Sequence, residues 1–103
     1  MILVDACCAI VPERHSDFIR EVQKIIPTVQ KESGCIRYEL VVDVHVPGVF
    51  HFIEEWESQK HLDEHIAQPH MQAYFAETAP WHSAPVTLKI YEVRSSRSVT
   101  MDD

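Results

Sequence analysis

Residues 2–11 read Ile-Leu-Val-Asp-Ala-Cys-Cys-Ala-Ile-Val and stop at Pro12. That length and β-branched content predict a strand with little solvent contact on either face. From about Arg14 the period changes. Phe18, Val22, Ile25, Ile26 and Val29 recur at helical spacing, with Arg20, Glu21, Lys24 and Lys31 opposite them. Gly34 suits the helix end, because without a Cβ it accepts the left-handed conformation. Pro27 removes a backbone donor inside this helix, so a kink or a split into two halves is expected.

Residues 35–44 alternate, with Ile36, Tyr38, Leu40 and Val42 on one face and Arg37, Glu39 and Asp43 on the other. Val46-Pro47-Gly48 signals a turn, and 49–57 completes a hairpin. In that strand Phe50, Phe52, Glu54 and Trp56 oppose Val49, His51, Ile53, Glu55 and Glu57. Ser58 can cap a following helix through its hydroxyl. Leu62 and Ile66, then Met71, Tyr74 and Phe75, keep a helical period with a break at Gln68-Pro69. Residues 86–93 form a last strand.

The order β-α-β-β-α-β predicts an α+β ferredoxin-like sandwich, a four-stranded antiparallel sheet with the helices on one face. Strands that are apolar on both sides leave a second face uncovered, so a homodimer through the open sheet faces is expected. Residues 1–94 read as one domain and 95–103 as a polar tail.

Charge narrows the ligands. Nine Lys and Arg against sixteen Asp and Glu give a net charge of −7. Nucleic acid and anionic membranes both reward clustered cations, so neither is expected as the main ligand. No stretch reaches the ~20 apolar residues of a membrane span. The apolar start lacks a basic leader, so it reads as a strand and not as a signal peptide. Cys7, Cys8 and Cys35 are odd in number and two are adjacent, which suits a reduced, cytoplasmic protein.

The candidate chemistry lies in the second half. His61 and His65 are four residues apart and could share a helix face toward a metal, with His70 as a third ligand. Leu62 occupies the position where a zincin helix carries Glu, so no metal site is expected. Two glycines, Gly34 and Gly48, cannot build a phosphate-cradling loop, which excludes nucleotide cofactors held that way. Among Glu54, Glu55 and Glu57, alternation isolates Glu54 on the face of Phe52 and Trp56. A carboxylate among aromatics is paired across an interface or functional. Cys35, near a helix C-terminus, reads as a small core residue with a raised pKa. Tyr38, Phe52, Trp56, His65, Met71, Tyr74 and Phe75 together suggest a pocket for a flat apolar ring.

Three segments carry a resemblance. They are Lys-Ile-Ile-Pro-Thr-Val-Gln-Lys-Glu-Ser-Gly-Cys at 24–35, Ile-Glu-Glu-Trp-Glu-Ser at 53–58, and the run from His61 through His65, Pro69 and His70 to Tyr74. From Met1 to about Val93 the chain resembles the antibiotic biosynthesis monooxygenase domain family, and most closely its quinol monooxygenase branch. The resemblance implies a dimer with a pocket between each sheet and its helices. It also implies oxidation of quinols or similar electron-rich aromatics by O₂, with no flavin, metal or haem. Under it His65 is the proton-handling base and Trp56 the second catalytic candidate. Phe52 joins Trp56 as a ring-stacking wall, and Tyr38, Glu54, Met71 and Tyr74 contact substrate. Two other readings stay open: a non-catalytic small-molecule-binding or stress-response dimer, and a different reaction such as carbonyl isomerisation.

Overall fold

The computed structural model describes residues 1–102, and Asp103, the last residue of the expected tail, lies outside the described residues. Strand β1 (Ile2–Ala9) leads through a short 3₁₀ turn into helix α1 (His15–Gln30). Strands β2 (Cys35–Val42) and β3 (Val49–Trp56) form the hairpin, and helices α2 (Gln59–Ile66) and α3 (Pro69–Thr78) follow it. Strand β4 (Thr87–Glu92) ends the fold. The sheet order is β2-β3-β1-β4 with every pair antiparallel, which is the ferredoxin-like α+β arrangement the pattern predicts.

The helices cover one sheet face, and the core sits beneath them. From β1 it takes Val4, Ala6 and Cys8, from α1 Phe18, Val22 and Val29, and from β3 Phe50, Phe52 and Trp56. Burying each large side chain is worth about 1.5–3 kcal/mol, whereas an exposed ion pair contributes about 0–1. The core therefore decides the fold, and the surface pairs along α1 do not.

Within the single chain β1 alternates, with Leu3, Asp5, Cys7 and Ala9 on the face away from the helices half-buried. Three expectations change. The β1 ladder ends at Ala9, where Ile10 N–H turns to the Gly48 carbonyl and Val11 N–H to that of Trp81. The open face is a charged mosaic around Leu3 and Ile53, with Arg37 bonded to Glu39 and Glu55 and His51 to Asp5. Helix α1 runs through Pro27 without splitting, since Phe18, Val22 and Val29 on either side of it are pinned to the sheet. In β2 a bulge between Cys35 and Arg37 turns Ile36 outward, and Val42 at the strand end is exposed as well.

Gly34 ends the α1–β2 turn at φ +79°, and the turn lies hard against α2. A Cβ there would fall 2.2 Å from His61 Cγ. Glu57 N–H donates to the Gly34 carbonyl at 2.8 Å, tying the same turn to the end of β3. This contact brings residue 32 beside the second and third helices. Ser58 caps α2 by accepting from His61 N–H, and Pro69 opens α3 at the expected break. The residues after Glu92 carry no helix or strand through Asp102.

Candidate active site

A cavity of about 450 Å³ opens between the sheet and α2–α3. Its floor is Val4, Ala6 and Cys8 of β1 with Phe52 of β3. Leu62, Met71, Tyr74 and Phe75 form the helical side, and it opens toward Val86 and Leu88 at the edge strand. Most of this wall is hydrocarbon or aromatic ring. The polar exceptions are Glu54, His65, Thr78 and His82, with the hydroxyls of Tyr38 and Tyr74.

Strand alternation sends Glu54 inward with Phe52 and Trp56, as its sequence position requires, and it is only 5% exposed. Trp56 Nε1–H donates to Glu54 Oε1 at 3.0 Å. Burial nevertheless lifts the carboxyl to about 7; the indole N–H opposes the rise and the charge of Glu32 adds to it. Glu54 is therefore poised to gain or lose a proton near neutrality.

His65 is 3% exposed and sits inside the core. Its ring lies 4.6 Å from that of Trp56, tilted by 30°, and 5.4 Å edge-on from Tyr38. Nδ1 is 3.1 Å from both oxygens of Glu32, which makes it the donor and leaves the Nε2 lone pair as the base. Nε2 stands 3.9 Å from Glu54 Oε1. Burial lowers the imidazole pKa, against the pull of Glu32, so His65 rests neutral. A neutral base with its tautomer fixed by a carboxylate is the arrangement proton abstraction needs.

The structure brings Tyr38, Phe52, Glu54, His65, Met71 and Tyr74 to one cavity. Trp56 is not brought to the cavity with them: it is fully buried, packed against His65 and bonded to Glu54, and does not line the cavity wall. Burial also pushes the Tyr38 and Tyr74 hydroxyls above their usual value and the Cys8 thiol up to about 12. They stay protonated donors at neutral pH. The His61–His65 pair does not converge. His61 Nδ1 meets the Ser58 hydroxyl at 2.7 Å while His65 turns to Glu32, and among the described residues no three His, Cys, Asp or Glu gather as a metal site.

Sequence reasoning missed Glu32 and His82. Glu32 was visible two residues before Gly34, but only the folded turn carries it across to α2. His82 lies beyond α3 where no periodicity aims it. Its Nδ1 is buried without a partner among the described residues, and burial lowers its pKa.

Residues 1–77 match the antibiotic biosynthesis monooxygenase family. The Escherichia coli K12 protein named "Probable quinol monooxygenase YgiN" is 44% identical over 59 residues, covering 50% of this chain and 57% of that protein. The chain thus spans little more than half the length of that relative. The Bacillus subtilis protein named "Putative monooxygenase YcnE" is 27% identical over 86 residues, covering 84% of this chain and 90% of its own. Among solved structures, a conserved protein from Methanosarcina mazei superposes with a TM-score of 0.84 at 28% identity, covering 87% of this chain and 89% of the other. With its cavity lined by aromatics and a carboxylate–imidazole pair, this chain belongs to the antibiotic biosynthesis monooxygenase family.

Proposed function

We propose that the protein is a monooxygenase that oxidises a quinol or similar electron-rich aromatic with O₂, the substrate itself supplying the electrons. The observation that carries this reading is the placement of His65 and Glu54 together in the wall of a largely apolar cavity. A ring held against Phe52 presents a hydroxyl to His65 Nε2, which takes its proton. The quinolate passes one electron to O₂, and the resulting pair of radicals combines to form a carbon–oxygen bond. Loss of water leaves a hydroxylated quinone. One oxygen atom ends in the product and one in water, and quinol plus O₂ balances hydroxyquinone plus water. The apolar wall keeps bulk water from the anion, and the substrate needs no separate reductant. The name of the Escherichia coli relative supports the same substrate class.

The reading includes a homodimer through the open sheet face, in a reducing compartment such as the cytoplasm. Half-buried Leu3 and Ile53 on that face and the three free cysteines support these two points.

The test is oxygen uptake with a 1,4-naphthohydroquinone under ¹⁸O₂, against buffer and heat-denatured protein. One O₂ consumed per quinol, with a single labelled atom in the hydroxylated quinone, is expected. Uptake no faster than autoxidation across a panel of one- to three-ring quinols overturns the proposal.

A further inference from the structure

The proton-handling end of the cavity does not stop at His65. Glu32 reaches it from the α1–β2 turn, with a side chain only 10% exposed. The same carboxylate meets a second imidazole, His70 at the start of α3, whose Nε2 donates to Glu32 Oε2 at 2.8 Å. His70 is 30% exposed and reaches solvent. One carboxylate thus joins a buried imidazole that faces the cavity to a second one that faces water.

Two consequences follow from charge. Glu32 holds the proton of neutral His65 on Nδ1 and favours the imidazolium that forms when Nε2 takes a second one. It can neutralise only one of the two rings. A proton on His70 therefore uses the charge that His65 would need, and repels it directly. We propose that Glu32 is the positioning residue of this site, fixing His65 with its Nε2 lone pair toward the cavity, and that His70 competes from the surface for the same carboxylate. The proposal rests on the reading of His65 as the base.

The other groups facing His65 are few. Glu54 approaches from β3 at 3.9 Å and Tyr38 from β2 by its ring edge. Cys8 of β1 opens on the same cavity. On α2 itself, His61 and Glu64 share a solvent-facing recess with Glu32. None of these accepts the Nδ1 proton, so the tautomer depends on Glu32.

The experiment separates this inference from the assignment of activity. Imidazole nitrogens are followed by ¹⁵N NMR across pH in the substrate-free protein, in wild type, Glu32→Gln and His70→Gln. Wild type should show His65 protonated on Nδ1 alone at neutral pH. In Glu32→Gln the amide can accept from or donate to Nδ1, so a mixture of tautomers is expected, with a lower His65 pKa. In His70→Gln the tautomer should hold and the His65 pKa rise. A Glu32→Gln protein with unchanged His65 tautomer and pKa overturns the proposal, as does a His70→Gln protein whose His65 titrates as in wild type. Kinetics add a second readout. Oxidation of naphthohydroquinone by Glu32→Gln should lose about 10²–10⁴ in kcat, the scale of general-base catalysis, with KM little changed. Glu32→Asp should restore part of it. Tautomer and pKa shifts as expected, with no quinol oxidised even by wild type, would uphold the coupling and sink the activity.

Discussion

His65 Nε2 and Glu54 Oε1 stand 3.9 Å apart across one corner of the cavity, too far for a hydrogen bond and too near to ignore each other's charge. Burial acts on both in the same direction, toward the neutral form. Glu54 is raised to about 7 and His65 is lowered, so near pH 7 the corner holds at most one negative charge and a free imidazole lone pair. A substrate hydroxyl entering it meets a base on one side and a carboxyl able to donate or accept on the other.

The first expected outcome concerns the two histidines of α2. His65→Ala should lower quinol oxidation by about 10²–10⁴. Because His65 is enclosed, the change also leaves a void beside Trp56 and removes one of the two imidazole partners of Glu32, at about 1–3 kcal/mol of stability. His61→Ala, at the half-exposed start of the helix, should keep the rate within about twofold. Oxygen uptake and thermal melting on the same two proteins check the contrast. Equal losses of rate in both would remove His65 from its role.

Gly34 should be intolerant of any side chain. Its φ of +79° costs an alanine about 1–2 kcal/mol, and the new Cβ would overlap His61. Gly34→Ala is therefore expected to lower the denaturation midpoint and to displace the turn that carries Glu32. Adding His61→Ala removes the ring but keeps a Cβ 2.7 Å from the new methyl group, so it should recover part of the steric loss and leave the backbone part. A double variant no more stable than Gly34→Ala would show that the His61 ring is not what the methyl group strikes.

Most of the fold was legible because alternation in β3 and the helical spacing of Phe18, Val22 and Val29 are local signals that survive in the folded chain. The errors arose where tertiary placement decides. The bulge at Ile36 resets the outward face of β2 in a way no alternation reveals. Apolar residues on both faces of β1 did not reveal that Asp5 and His51, and Arg37 and Glu55, pair across the far face. In the site, Glu54 was readable because a carboxylate between Phe52 and Trp56 is anomalous in sequence. Trp56 shares the inward face of β3 as expected but lies deeper than the cavity wall, since periodicity gives a face and not a depth. Glu32 needed the turn at Gly34, and its link to His65 spans 33 residues.

The open face leads to an expectation about assembly. Sedimentation at micromolar concentration should give about twice the 11.9 kDa chain mass. Ile53→Arg, at the centre of that face beside Asp5 and Glu39, should shift the equilibrium toward monomer. A folded wild-type monomer under those conditions would remove the dimer from the reading.

The last expectation is thermodynamic and needs no substrate. Glu54 binds its proton more tightly in the folded chain, at about 7, than at the ordinary carboxyl value of 4.5. Its contribution to stability is thus complete below about pH 4.5 and is lost as pH rises through 7, where the buried carboxylate ionises. Each pKa unit is worth about 1.4 kcal/mol, so the loss approaches roughly 3 kcal/mol at full ionisation. Glu54→Gln keeps an acceptor for the Trp56 N–H and cannot ionise. It should match wild type near pH 4.5 and exceed it increasingly between pH 5 and 8. His65 acts oppositely: its lowered pKa gives stability that is present above pH 6.5 and lost as pH falls, and it is shared by both proteins. The difference between the two unfolding curves therefore reports the ionisation of Glu54 together with its effect on His65 3.9 Å away. A difference that is flat with pH would mean that Glu54 ionises as freely in the cavity as in water, and the proton-handling corner would lose its second member.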